Sequence, residues 1–160
     1  MTRRTGCPPL LVFGWGNPSR GDDALGPLAV ERLRRMDAVP GRAEFLDDYQ
    51  LQVEHALDLQ GRERVLFIDA SVECDAPFAA SPLRPARDAS FTTHAMSPAA
   101  VMQVYRDLFG AEPPPCTLLA IRASTFELGA PPQPAALAHL EAALAWARHW
   151  MMCGAGPAGA

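Results

Sequence analysis

Carboxylates follow three of the apolar runs in this sequence, and a histidine precedes a predicted helix. Asp23 follows the first run at a helix start, Asp47 follows the second, Asp69 follows the third, and His94 lies in a loop. Ligands of doubly wound α/β proteins bind where the carboxyl ends of strands meet the amino ends of helices. Two carboxylates and one imidazole suit a borderline divalent metal. Asp23, Asp69 and His94 are therefore predicted metal ligands, with positions left open for water or a substrate.

The turn after the first apolar run allows two other interpretations. Gly14-Trp15-Gly16 matches the first half of a dinucleotide-binding fingerprint, but the sixth position of that motif is Ser19 rather than glycine. Asp22 and Asp23 would also face a pyrophosphate at the helix end that should attract it, which disfavours a nucleotide. The second interpretation is structural, since aspartates at a helix start often only cap the helix.

Composition predicts one ordinary globular domain. The chain has 160 residues, of which 49% are hydrophobic, enough to bury a core without disulfides or structural metals. A formal net charge of -4 excludes the basic surface typical of nucleic-acid binding proteins. No apolar run has the length of a membrane span, and the amino-terminal segment lacks the features of a signal peptide. We therefore expect a cytoplasmic protein.

The four cysteines show no pattern that predicts a disulfide framework or a zinc site. Their positions are Cys7, Cys74, Cys116 and Cys153, and no two of them form a C-x-x-C pair. Scattered thiols in a chain of this length, without an export signal, are expected to be reduced.

Strand and helix patterns alternate along the chain, which predicts a mostly parallel sheet of about five strands with helices on both faces. Such a single three-layer α/β/α domain would span residues 1–150, followed by a disordered tail at 151–160. The predicted strands are Leu10–Phe13, Glu44–Leu46, Val65–Ile68, an edge strand at Phe78–Leu83, and Thr117–Ile121. The predicted helices are Leu25–Met36, Leu51–Leu59, Pro98–Phe109 and Pro134–Trp150.

Five short motifs occur in order over nearly the whole chain. They are Gly14-x-Gly16-Asn17 with Gly21-Asp22-Asp23-x-x-Gly26, then Asp47, Ile68-Asp69-Ala70, Thr93-His94 ahead of Ser97-Pro98, and a late segment with Ile121-Arg122, Ser124, Glu127 and Gly129. In this order and spacing the chain resembles the hydrogenase maturation proteases. These are the endopeptidases that trim the large-subunit precursor of nickel-iron hydrogenases.

The resemblance implies a role for each matching residue. Asp23, Asp69 and His94 would contact nickel, which reaches the protease inside the precursor and marks it as correctly loaded; other divalent ions could substitute in vitro. Asp22 would be a helix cap or support the site, so its loss should cost about 1 kcal/mol. Either a carboxylate, Asp47 or one of the ligands, or a metal-bound hydroxide would deliver water to the peptide bond. The implied partner is the large-subunit precursor, and the protease itself is expected to be a monomer.

The chain departs from the family pattern at two places. Asp48-Tyr49 follows Asp47 where the family usually has Gly-Gly, and Ala24 stands where a glycine often follows the acidic pair. The first departure implies a different precursor specificity or an extra acidic contact from Asp48. A non-enzymatic assembly factor, which checks the metal of the precursor without cleaving it, is the alternative function.

Overall fold

The computed structural model describes residues 6–88 and 96–153. Its strands are β1 (Leu10–Trp15), β2 (Ala43–Asp48), β3 (Arg64–Ser71), β4 (Phe78–Pro82) and β5 (Cys116–Arg122). Its α-helices are α1 (Leu25–Met36), α2 (Pro98–Phe109) and α3 (Pro134–Met152), and two 3₁₀ helices span Gly21–Ala24 and Val53–Leu59.

The strands form one sheet in the order β2-β1-β3-β5-β4. β2, β1, β3 and β5 run parallel, and β4 pairs with β5 in the antiparallel direction at the edge. Crossover connections place α1 and α3 against one face, and α2 and the second 3₁₀ helix against the other. The predicted three-layer, mostly parallel α/β/α fold is confirmed.

The central strands are apolar on both faces because helices cover both sides of the sheet. Successive side chains of a strand point to opposite faces, so each strand supplies two cores. Val12 and Ile68 belong to the core under α1 and α3, which we call the α1 core. Phe13 and Phe67 belong to the core under α2 and the second 3₁₀ helix, which we call the α2 core.

The segment after β2 differs from the sequence prediction. It folds as a 3₁₀ helix over Val53–Leu59 instead of an α-helix over Leu51–Leu59. A 3₁₀ helix has three residues per turn, so Ala56 and Leu59 share its buried face. Leu57, expected on the apolar side at α-helical spacing, is 49% exposed.

The carboxyl-terminal helix also runs further than predicted. α3 ends at Met152, and Met151 is buried against the α1 core. The first two residues of the predicted disordered tail are therefore helical, because Met151 continues the apolar face of α3. Residues 154–160 lie outside the described part of the chain.

The described residues include all four cysteines of the chain. Cys7, Cys74, Cys116 and Cys153 are all free thiols, as the sequence predicts. Among the residues described, no helix is both long and apolar enough to cross a membrane.

Glycines allow α1 to begin directly against the end of β1. A Cβ atom at Gly26 would overlap the carbonyl oxygen of Trp15 and lie 2.9 Å from the carbonyl oxygen of Ile68. A Cβ atom at Gly14 would overlap the backbone of Gly26 in the same way. The backbones of α1 and β1 are therefore in direct contact here. This contact places the Asp22-Asp23 turn at the edge of the sheet.

We expect Gly26→Ala to lower the free energy of unfolding by about 3 kcal/mol, because the new methyl group overlaps backbone atoms that cannot rotate away. Urea denaturation measures this change. Gly41→Ala is the matched control: Gly41 has a φ of 75° and open space around its Cβ position, so its cost is the left-handed conformation alone, about 1 kcal/mol. An equal loss in both variants would contradict the proposed backbone contact.

Candidate active site

Asp23 is positioned by the loop that follows β1. It lies in the 3₁₀ helix that precedes α1, and its side chain is half-buried. The backbone N–H of Asn17 donates to Asp23 Oδ2 at 2.8 Å, while the side-chain oxygen of Asn17 accepts from the N–H of Ser19 at 2.9 Å. The Gly16-Asn17 turn thus holds the carboxylate in one orientation at the carboxyl end of β1.

Asp69 lies near the carboxyl end of β3, the strand next to β1. Burial, together with a smaller effect of the nearby negative charge of Asp23, raises the pKa of the Asp69 carboxyl to about 7. The N–H of Ala70 opposes this shift by donating to the carboxylate. Asp23 and Asp69 are therefore close enough to repel each other through a poorly hydrated region.

A pair of carboxylates in this arrangement fits a bound cation. The ionised pair is unfavourable while Asp69 is buried beside the charge of Asp23, and a divalent ion between the two carboxylates would remove that cost. Within residues 6–88 and 96–153, no three His, Cys, Asp or Glu side chains are grouped to hold a metal. The predicted third ligand, His94, lies outside the described residues.

Asp22 has a structural role that the sequence did not reveal. Its side chain is fully buried, and the N-cap position of α1 is Ala24, with no side-chain cap. Of the two roles expected for Asp22, that of a helix cap is therefore wrong, while that of supporting the site stays a prediction. Its carboxylate instead accepts hydrogen bonds from the N–H groups of Ser124 at 2.8 Å, Thr125 at 3.3 Å and Gln133 at 2.7 Å.

Backbone hydrogen bonds extend this connection between the Asp22-Asp23 turn and the β5–α3 loop. Gly129 N–H donates to the Ser19 carbonyl at 2.7 Å, and Asp22 N–H donates to the Thr125 carbonyl at 3.0 Å. Gly21 N–H donates to the Ala130 carbonyl at 3.0 Å. The late sequence motif ending at Gly129 therefore supports the first motif directly, since the two loops form one hydrogen-bonded unit.

The adjacent residues Asp47 and Asp48 point to opposite faces of the sheet. Asp47 lies two residues after Phe45, which packs on the α1 core, and it lines a cavity against α1. Asp69 lies two residues after Phe67 and so faces the α2 side. The structure therefore groups Asp23 with Asp69, whereas Asp47, expected to point into the same cleft, lies in a neighbouring space.

Asp48 forms an ion-pair contact with a histidine on the α2 side. His55 Nε2 lies 3.3 Å from Asp48 Oδ2, and His55 Nδ1 accepts a hydrogen bond from the Gln52 N–H at 2.8 Å. Because Nδ1 accepts, the proton of the neutral ring must be on Nε2, facing Asp48. His55 also contacts Phe13 edge-on, with ring centroids 4.6 Å apart. This pair stabilises the segment after β2 where the family usually has glycines.

The five-stranded, mostly parallel sheet with helices on both faces is the α/β fold of the hydrogenase maturation proteases. Among solved structures, the hydrogenase maturating endopeptidase HybD from Escherichia coli is similar to this chain with a TM-score of 0.71 and 25% identity. The alignment covers 91% of this chain and 93% of HybD.

Two further structures agree. An endopeptidase from Escherichia coli aligns with a TM-score of 0.66 and 26% identity, covering 86% of this chain and 88% of that one. The maturation protease HycI from Thermococcus kodakarensis aligns with a TM-score of 0.68 and 19% identity, covering 92% and 95%. Sequence comparison with family models and with curated proteins gives no significant match. The resemblance found in the motifs is confirmed by structure, and a protease role is supported.

We expect Asp69→Asn to raise the melting temperature at pH 8 in metal-free buffer. The pKa of Asp69 is about 7 in the folded protein and 3.8 for an ordinary aspartate, so the folded state retains a proton that the unfolded chain has lost. The free energy of unfolding therefore falls as the pH rises from about 4 to about 7. Asparagine does not ionise, so the variant does not lose stability in this way. The advantage should shrink as pH falls towards 5. Asp75→Asn, which removes an exposed carboxylate, should show no such trend; a destabilised Asp69→Asn at pH 8 would contradict the assignment.

We expect Asp22→Asn to reduce the free energy of unfolding by about 3 kcal/mol, more than the loss expected of a helix cap. The new amide group would face backbone N–H donors in a fully buried position and leave one of them unpaired. Chemical denaturation measures the change. Asp23→Asn is the control, since its half-buried side chain accepts one hydrogen bond from Asn17 and should cost about 1 kcal/mol. Equal losses would show that the buried hydrogen bonds of Asp22 carry little energy.

Proposed function

We propose that this protein is an endopeptidase that removes the C-terminal extension of a nickel-loaded hydrogenase large-subunit precursor. The observation that carries the proposal is the pair Asp23 and Asp69, placed together at the carboxyl ends of β1 and β3. The same part of the sequence carries the family motifs, and the fold matches maturation endopeptidases over about nine-tenths of the chain.

Nickel belongs to the substrate in this proposal. Asp23 and Asp69 would contribute carboxylate oxygens and His94 an imidazole nitrogen to an ion that the precursor already holds. The desolvated carboxylates favour a cation over an empty site, so a precursor without its metal would bind poorly. Other divalent ions would substitute in vitro, since oxygen and imidazole ligands accept several of them.

The side chains of the protease have two tasks once the precursor is bound. They orient the tail so that the scissile carbonyl lies near the carboxylates, and they hold a water molecule and accept its proton as it attacks. Asp23 and Asp69 lie together and are therefore better placed for the second task than Asp47, which faces α1. The proton must then reach the amine of the released peptide.

The partner and location follow from the same proposal. The partner is the folded large-subunit precursor, and the protease acts on it in the cytoplasm as a monomer. Location and oligomeric state stay predictions from the sequence and the family resemblance.

Incubation with nickel-loaded precursor, followed by the intact mass of the large subunit, tests the proposal. The wild type should release the C-terminal extension, while Asp23→Asn, Asp69→Asn and His94→Ala should each cleave at least about 100-fold more slowly, since each removes a group in contact with the metal or the water. Asp75→Asn, which removes an exposed carboxylate, should cleave normally.

Calorimetric titration with nickel separates the possible outcomes. Weak binding by the wild type, reduced in all three variants, supports the metal-contacting roles. Equal affinity in all four proteins would remove the proposed site. A wild type that binds the loaded precursor but leaves its mass unchanged would establish the non-enzymatic assembly factor instead.

A further inference from the structure

The antiparallel strand β4 has an open side. Within residues 6–88 and 96–153, β4 pairs only with β5, and four of its five residues are exposed. Arg122 N–H donates to the Pro77 carbonyl, and alternate residues of an antiparallel strand bond to the same neighbour, so residues 79 and 81 also face β5. The backbone N–H and C=O groups of Phe78 and Ala80 therefore point away from the sheet.

The two outermost strands of the sheet differ in charge. β2 carries three carboxylates, those of Glu44, Asp47 and Asp48, and charged side chains on an edge strand discourage the addition of another strand. β4 carries no charge, and it ends at Pro82, which lacks an N–H. The open side of β4 is therefore the place where this sheet can accept a short extended peptide.

β4 begins level with the candidate active site. Asp69 is in register with Ala120 of β5, which is in register with Ala79 of β4. At a strand spacing of about 4.8 Å, the backbone of Ala79 lies about 10 Å from that of Asp69, and an added strand would lie about 15 Å away. An extended chain covers about 3.4 Å per residue, so about four or five residues would join the added strand to a bond cleaved beside Asp69.

A cavity of about 450 Å³ lies at the far end of β4. Its apolar lining comprises Leu83, Pro85, Met102 and residues 113–115. Two arginines also line it, and Arg106 is already paired with Glu112 at 2.7 Å. Arg84 is exposed and has no hydrogen bond or ion pair within the part of the chain that the structure describes. Its guanidinium therefore favours a negative charge on a peptide that reaches the end of β4.

We propose that the open side of β4 binds the C-terminal extension of the precursor as an added strand, with a carboxylate of that peptide received by Arg84. The extension leaves the carboxyl ends of the parallel strands after the cleaved bond, and β4 runs in that same direction, so the added strand would be parallel to β4. Main-chain hydrogen bonds to Phe78 and Ala80 would hold the peptide, and Arg84 would favour an acidic residue. This inference rests on the proposed protease function and deepens it.

Precursor cleavage by Ala80→Pro tests the strand addition. Proline removes the outward N–H and keeps the bonds to β5, since an edge strand tolerates proline on its open side. KM should rise at least about tenfold with kcat within about twofold, because a binding contact is lost while the chemical groups remain. Ala79→Thr, which alters a side chain of β4 but no outward N–H, should keep the wild-type KM. An unchanged KM in Ala80→Pro, or an equal rise in Ala79→Thr, would overturn the proposal.

Arg84→Gln provides a second variant that leaves the backbone unchanged. Its KM should rise about fivefold, whereas Arg87→Gln should behave as the wild type, since Arg87 is already paired with Asp107 at 3.0 Å. Each acidic residue of the extension is replaced by its amide in turn. One replacement should cause the same loss with the wild type and no further loss with Arg84→Gln. Losses that add for every replacement would overturn the role of Arg84.

Hydrogen exchange measured by NMR does not depend on cleavage. The probe is the blocked peptide acetyl-Val-Thr-Val-Thr-Asp-amide at saturating concentration, which should slow exchange of the Phe78 and Ala80 amides at least about tenfold. Its asparagine counterpart should bind the wild type more weakly and Arg84→Gln equally well. No added protection would overturn the proposal, as would protection without peptide in a sedimenting dimer, which assigns β4 to a second copy. Protection by the peptide without any precursor cleavage would refute only the protease function.

Discussion

The buried carboxylate of Asp22 organises the functional end of this molecule. It has no exposed surface and accepts three backbone hydrogen bonds from the loop between β5 and α3. A buried charge is tolerated only when donors surround it, so the loop and the Asp22-Asp23 turn must fold together. With Asp22 turned inward, Asp23 is left at the edge of the sheet beside Asp69. Two adjacent aspartates thus differ in role: Asp22 is a buried structural residue, and Asp23 belongs to the candidate active site.

Bringing Asp23 and Asp69 together is unfavourable in the free protein. Burial and the charge of Asp23 raise the pKa of Asp69 to about 7. Strongly shifted pKa values cluster at functional sites, where a bound ligand can neutralise the repulsion between the charged groups. In the proposed function, a metal carried by the substrate would do so only when a loaded precursor is present. The same repulsion would therefore make binding selective for the cation.

The last two residues of the edge strand β2, Asp47 and Asp48, lie on opposite faces of the sheet. Because strand side chains alternate, Asp47 faces the cavity beside α1, and Asp48 faces His55. The Asp48–His55 contact joins the end of β2 to the 3₁₀ helix that follows it. The cavity beside Asp47 lies next to the Asp23 turn, since Pro18 and Ala24 line it.

The sequence by itself determined the elements and their order. The bounds predicted for α1 and α2 are those of the structure, and the apolar runs of β1 and β3 predicted buried parallel strands because local periodicity carries that information. The pairing of Asp22 with Ser124 and Gln133, more than 100 residues away, was decided only by the tertiary structure, since no local pattern encodes a partner at that distance. The same is true of the face on which Asp47 lies, because a one-residue shift in the register between β1 and β2 would move every β2 side chain to the other face of the sheet.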